Sequence, residues 1–251
     1  MPRRTGIDVD PAREEAELRA YLGHRYDHRR LVHYQRQLDE EREAIGDEHQ
    51  LYRTSVGYLY DLTVFAMSRT KLPYLRTLTR LVKPGARVLD YGCGIGSDGL
   101  LLLEAGYDVA FADFANPSTE YLRWRLARRG LAAPIFDLDG APPPGGFDAA
   151  YAFDVIEHVD EPFAFLGEME ARARLVLVNF LEPADGETAL HRELPIGDLM
   201  RHVTGRDLRE YRVYHGRSHL VAYGDRATAG TTVWRSRARL WGGRVRRALR
   251  G

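Results

Sequence analysis

Apolar positions recur at helical spacing through the first third of the chain. Leu18, Leu22 and Tyr26, then Leu31, Tyr34 and Leu38, recur within each set at intervals of three or four residues, the spacing of a helix. Asp10-Pro11 supplies the start signal, an N-cap acid before a proline at the first helical position, with Glu14-Glu15 in the first turn. Gly46-Asp47 breaks the pattern. A second stripe, Val56, Leu59, Leu62, Phe65 and Ala66, follows, and a short third helix after Pro73 carries Leu75, Leu78 and Leu81 before Lys83-Pro84-Gly85 stops it. Residues 1–84 are therefore predicted to form a helical N-terminal region.

From residue 85 the period changes. Short apolar runs at Arg87–Asp90, Val109–Asp113, Pro134–Asp137, Phe147–Phe153 and Leu175–Phe180 read as buried strands. Helical stretches such as Leu100–Ala105 and Ser118–Arg129 lie between most of them, and repeated strand–helix units predict an α/β domain, a parallel sheet wound with helices on both faces. Tyr211–Tyr214 and His219–Tyr223 flank His215-Gly216-Arg217-Ser218 and predict an antiparallel hairpin near the end. The Pro142–Gly146 patch is a loop. Residues 85–224 make this domain, and 225–251 form a tail. Within the tail, Trp234, Ala238, Trp241, Val245 and Ala248 share one helical face, and residues 226–251 hold eight arginines and no acid.

Composition narrows the function classes. The 251 residues are 44% hydrophobic and 29% charged, the mixture of an ordinary globule. Lys+Arg and Asp+Glu both total 36, so the chain lacks the basic excess of a protein that lives on nucleic-acid phosphates. A single cysteine excludes an internal disulfide and a Cys-rich zinc site. No apolar run is long enough to span a bilayer, and the N-terminus has no apolar signal-peptide core, so the expected compartment is the cytoplasm. The basic tail adds an expected peripheral contact with an anionic membrane, against the plainer alternatives of packing on the domain or fraying.

The sharpest local signal is Val88-Leu89-Asp90-Tyr91-Gly92-Cys93-Gly94-Ile95-Gly96, a buried strand running into a glycine turn that opens a helix. Bare backbone at a helix N-terminus lets a ligand approach closely. Gly94, Gly96 and Gly99 also fit G-x-G-x-x-G, a weak pattern alone. Asp90 and Asp98 disfavour a pyrophosphate and suit a cationic ligand. Asp113, at the end of the next strand and 23 residues after Asp90, can accept both hydroxyls of a ribose. Asp137, ending the third strand, can accept from an adenine amino group. An adenosine with a positively charged tail fits this set. Cys93 reads as a small buried residue.

These residues resemble the class I S-adenosylmethionine-dependent methyltransferases. VLDYGCGIG is similar to their first motif, FADF around Asp113 to their second acidic position, FDLDG around Asp137 to their adenine-side loop, and FDAAYAFDVIEHV, residues 147–159, to their fourth-strand motif. The resemblance covers roughly residues 75–224. It implies a Rossmann-like seven-stranded sheet ending in the antiparallel hairpin, S-adenosyl-L-methionine as cofactor, and Asp90, Gly92, Gly94, Gly96, Asp113, Phe114, Asp137, Leu138, Phe153 and Asp154 as cofactor-binding residues.

The resemblance also bears on catalysis. Asp154-Val155-Ile156-Glu157-His158 stands at the carboxyl end of the fourth strand, where open α/β sheets bind ligands. In the ubiquinone-type O-methyltransferases and the small-RNA 2′-O-methyltransferases, a similar acid-x-x-Glu-His run with a later histidine holds a divalent metal. Carried over, the metal ligands would be Asp154, Glu157, His158 and His191. The first acid here is Asp rather than Glu, and its reach is shorter. Glu157 and His158 serve equally as a general base, or brace the loop; His202, His215 and His219 are alternative fourth ligands or bases. Tyr52, Tyr58, Tyr60, Phe65 and Tyr74 would lid an acceptor pocket, or merely dock helices on the sheet. The expected function is methyl transfer from S-adenosylmethionine to a small-molecule hydroxyl. The alternatives are an N- or C-methyltransferase without metal and a non-catalytic, membrane-associated cofactor-binding protein.

Overall fold

In a computed structural model of the chain, residues 7–182, 184 and 191–224 are described. The basic tail and its predicted membrane contact lie outside them. The chain divides into two compact units, Met1–Pro143 and Pro144–Gly251, separated within the Pro142–Gly146 loop. Among the described residues the chain forms seven strands, three in the first unit and four in the second.

The first unit opens with helices α1 (Pro11–Leu22), α2 (His28–Val32), α3 (Tyr34–Ile45), α4 (Glu48–Thr54), α5 (Tyr58–Met67) and α6 (Leu72–Leu81). Asp10 caps α1 as its sequence predicts, its carboxylate accepting from the N–H groups of Ala12 and Arg13. The first apolar stripe is not one helix. Gly23, at φ 57°, ends α1, a 3-10 turn spans Gly23–Arg25, and Asp27 caps α2. Gly46 closes α3 in the left-handed region and Asp47 caps α4, so the predicted break is a C-cap followed at once by an N-cap.

Strands β1 (Arg87–Tyr91), β2 (Asp108–Asp113) and β3 (Ile135–Asp137) pair in parallel, joined by α7 (Ser97–Glu104) and α8 (Pro117–Arg128). Leu18, Leu22, Leu31, Leu59, Tyr60, Ile95 and Tyr121 share one apolar cluster. The cluster places the helical N-terminal region directly on the glycine turn and on α8.

The second unit holds β4 (Ala149–Ala152), α9 (Pro162–Arg172), β5 (Leu175–Leu181), α10 (Ile196–Thr204), β6 (Asp207–Tyr214) and β7 (Ser218–Gly224). β4 runs parallel to β5 and is shorter than its apolar run, because Phe147 forms only an isolated bridge to Ala173. β7 lies antiparallel to β5 and to β6. The hairpin turns at His215 and Gly216, both at positive φ, with the Arg217 N–H donating to the Tyr214 carbonyl. That primed geometry matches the twist of the flanking strands.

Candidate functional site

In the first unit, β1 ends at Tyr91 and the chain turns through Gly92, Gly94 and Gly96, all at positive φ. The N–H groups of Gly92 and Cys93 both donate to the Ala112 carbonyl, which moors the turn to the end of β2. Gly96, at φ 70°, stands so close to α8 that a Cβ there would lie 2.4 Å from Leu122 Cδ1. Gly99 has a different role: a Cβ would meet the Phe111 ring at 2.2 Å and Asp90 Oδ2 at 2.9 Å, so it lets α7 close on the sheet.

Asp113 lies beside this turn, one oxygen accepting from the Gly94 N–H at 2.6 Å and the other from the Phe114 N–H at 2.7 Å. Burial pushes its carboxyl above the usual carboxylate range, and those two N–H groups partly offset the rise. Each oxygen keeps a second lone pair, so the carboxylate can still accept the two hydroxyls of a ribose. Leu138 N–H donates to the Asp113 carbonyl and Asp139 N–H to the Asp137 carboxylate, which brings the second and third acidic positions to one edge. Asp98 departs from its expected part. Lys71 Nζ stands 3.5 Å from it, so its charge is matched within the protein. Asp90 is buried against Gly99. Cys93 is half-buried rather than buried, and desolvation with the charges of Asp113 and Asp90 raises its thiol.

Arg53 is a residue that sequence reasoning missed. From α4 its guanidinium covers the Phe114 ring at 4.7 Å and pairs with Asp139. The partner lies 86 residues away, so spacing offers no signal. Of the aromatics proposed as a lid, Tyr60 and Tyr74 are buried in the core, and the Tyr60 hydroxyl accepts from the Asp27 N–H. Tyr52, Tyr58 and Phe65 are half-buried, the first two in an edge-to-face pair.

In the second unit, Phe153 and Asp154 follow β4, Phe153 buried against Tyr151. Asp154 adopts φ 55°, a strained conformation for a residue with a Cβ. Asn179 on β5 holds it at two points: Oδ1 accepts from the Asp154 N–H at 2.8 Å, and Nδ2 donates to the Asp154 carboxylate at 2.7 Å. The chain then makes one 3-10 turn, Ile156–His158. Glu157 is 1% exposed. Its carbonyl accepts from the Arg192 N–H, and the His158 and His191 rings meet edge to face at 4.9 Å.

One ligand atom from each of Glu157, His158 and His191 lies within 4.8 Å of the others. The structure thus brings together three of the four expected metal ligands. Asp154 is outside this group, clamped to Asn179 instead. One carboxylate and two imidazoles suit a divalent ion of intermediate hardness, so the donor set fits a metal. The alternative histidines are engaged elsewhere: His202 with Glu170 at 2.7 Å, and His219 with Glu182 and Tyr211 at 2.8 and 2.9 Å. His215 serves the hairpin turn.

A family model described as a methyltransferase domain matches residues 67–213. The chain belongs to the class I S-adenosylmethionine-dependent methyltransferase family. Over 106 residues it is 31% identical to a ubiquinone biosynthesis O-methyltransferase of Xanthomonas campestris, covering 40% of this chain and 43% of that one. Over 95 residues it is 32% identical to the Bordetella pertussis enzyme of the same name, covering 36% and 39%. The match thus spans less than half the length of these curated relatives. Among solved structures, the pyocyanin biosynthetic protein PhzM matches with TM-score 0.56 and 15% identity, over 87% of this chain and 74% of that one. Magnesium protoporphyrin IX methyltransferase from Synechocystis PCC 6803, solved with bound S-adenosylmethionine, matches with TM-score 0.52 and 17% identity, over 88% and 100%. These likenesses establish the methyltransferase fold, a seven-stranded mixed sheet following an N-terminal helical region. Among the described residues no helix is long and apolar enough to cross a membrane.

Proposed function

We propose that the protein transfers the methyl group of S-adenosylmethionine to a hydroxyl oxygen of a small molecule. The observation that carries the oxygen acceptor is the grouping of Glu157, His158 and His191 within 4.8 Å. The relatives named as ubiquinone O-methyltransferases support the same acceptor class.

The residues divide the work. Backbone at Gly92, Gly94 and Gly96, with the carboxylates of Asp90, Asp113 and Asp137 and the side chains of Phe114 and Leu138, holds the cofactor, and Phe153 and Asp154 keep the cofactor roles that the family resemblance implies. The sulfonium methyl is already activated, so alignment supplies most of the acceleration. As the O–CH₃ bond forms, the S–CH₃ bond breaks and its electron pair stays on sulfur as S-adenosylhomocysteine leaves. The acceptor's proton passes to the Glu157–His158 pair. A divalent ion held by Glu157, His158 and His191 would acidify the hydroxyl and favour an acceptor with two adjacent oxygens.

A labelled-methyl assay with catechol and simple phenols, before and after chelation, tests this reading. In the metal form, activity disappears with chelator and returns with a divalent ion. In the base form, chelation does nothing and His158→Ala cuts turnover by roughly 10²–10⁴ with cofactor affinity intact. Full activity after chelation and in both His158→Ala and Glu157→Ala refutes the assigned role of the pair.

A further inference from the structure

A buried ionic network joins the first helix of the chain to the glycine turn. Arg125 of α8 is 0% exposed. Its Nη1 donates to the Ile95 carbonyl at 3.0 Å and to Ser97 Oγ at 2.8 Å, both in the turn that opens α7. Its Nε donates to Glu17 at 2.8 Å and its Nη2 to Glu14, both on α1. Ser97 Oγ in turn donates to Glu14 at 2.8 Å. Arg129, one helical turn on, bonds Glu17 twice at 2.8 Å and approaches Glu104, which Arg13 also holds. Two carboxylates and two guanidiniums thus balance in the interior.

Buried ion networks are weak devices for stability, since well-packed apolar residues in their place often do as well or better. What ions add is a fixed geometry, because a guanidinium presents its donors in a rigid fork. Here one tine of the fork fixes the turn, and the others are held by α1. Ile95 and the side chains of Leu18 and Leu22 also share one apolar cluster. The turn needs such support, since Gly94 and Gly96 sit at φ 52° and 70° and glycine gives little intrinsic bias toward one conformation.

We propose that Arg125 is a positioning residue for the cofactor turn, held in place by Glu14 and Glu17, so that docking of α1 and cofactor affinity are coupled. The proposal rests on the cofactor reading above. If only the docked state presents the turn in its binding form, the apparent affinity falls by the fraction of molecules that leave it. Coupling is reciprocal, so bound ligand must hold α1 down to the same degree.

The test uses the full chain and S-adenosylhomocysteine as probe. Calorimetric affinity is measured for the wild type, Glu17→Gln and Arg125→Lys, each well below its melting temperature. Amide exchange in α1 of the wild type is followed with and without ligand. The expected result is about tenfold weaker binding in the variants and ligand-dependent slowing of exchange in α1, although neither Glu14 nor Glu17 is assigned to the cofactor. Lower melting temperatures with unchanged affinity, or α1 exchange indifferent to ligand, overturn the proposal. If a variant fails to fold, the wild-type exchange measurement decides. A wild type that does not bind S-adenosylhomocysteine refutes the cofactor reading and this inference together, whereas binding without α1 protection refutes the inference alone.

Discussion

Replacing Gly96 with alanine perturbs the turn in two separable ways. The residue sits at φ 70°, where an L side chain meets its own backbone at about 1–2 kcal/mol. The new Cβ would also lie 2.4 Å from Cδ1 and 3.0 Å from Cδ2 of Leu122, a fully buried side chain with little room to retreat, and such overpacking costs about 1–3 kcal/mol. The sum is about 2–5 kcal/mol, a large share of the roughly 5–15 kcal/mol that holds a domain folded. Gly85 offers the control. It has φ 87° but nothing within 4 Å of its missing Cβ, so Gly85→Ala carries the backbone cost alone. Urea unfolding of both variants, analysed by linear extrapolation, should place Gly96→Ala below Gly85→Ala by about 1–3 kcal/mol. Equal losses would show that Leu122 yields freely and that contact with α8 does not constrain the turn.

Asp61 and Asp113 give two further predictions. Burial, aided by Asp39 and opposed by Lys71, pushes the Asp61 carboxyl from 3.8 up to about 6. The folded state therefore keeps a proton that the unfolded chain has lost between those values, and stability falls as pH rises through that window. Asp61→Asn should raise the melting temperature at pH 7.5, by the equivalent of about 1–2 kcal/mol after allowance for partial exposure, and leave it unchanged at pH 3. Destabilisation at pH 7.5 would mean that the charge of Lys71 outweighs the burial. Asp113→Ala should weaken S-adenosylhomocysteine binding by about 1–3 kcal/mol in calorimetry; unchanged affinity in a folded variant would remove Asp113 from the cofactor's partners.

Local signals were legible in the sequence where a residue acts through its immediate neighbours. Asp10-Pro11 caps α1, Gly46-Asp47 separates two helices, and the strand–glycine–helix run at 88–99 forms the turn, because each is decided by backbone conformation within a few residues. Boundaries were less legible. The apolar run from Phe147 continues past the end of its hydrogen-bonded ladder, so hydrophobicity alone overstates β4. Pairings over long separations were not legible at all. Glu17 and Arg125 stand 108 residues apart, and each reads on its own as a solvated helix charge. His191 was the best-placed later histidine by position alone, and only folding shows that its ring reaches His158. The ion pair of Asp98 with Lys71 likewise weakens one step of the charge argument while leaving the acid-lined turn in place.

The turn at Gly92–Gly96, with Asp113 beside it, suits an adenosyl sulfur ligand rather than a dinucleotide. Titration calorimetry of the purified full chain with S-adenosylhomocysteine and, separately, with NAD distinguishes the two. Saturable, one-to-one heat in the micromolar range is expected with S-adenosylhomocysteine, about −8 kcal/mol of binding free energy, and none with NAD. Heat with NAD and none with S-adenosylhomocysteine would assign the turn to a dinucleotide instead.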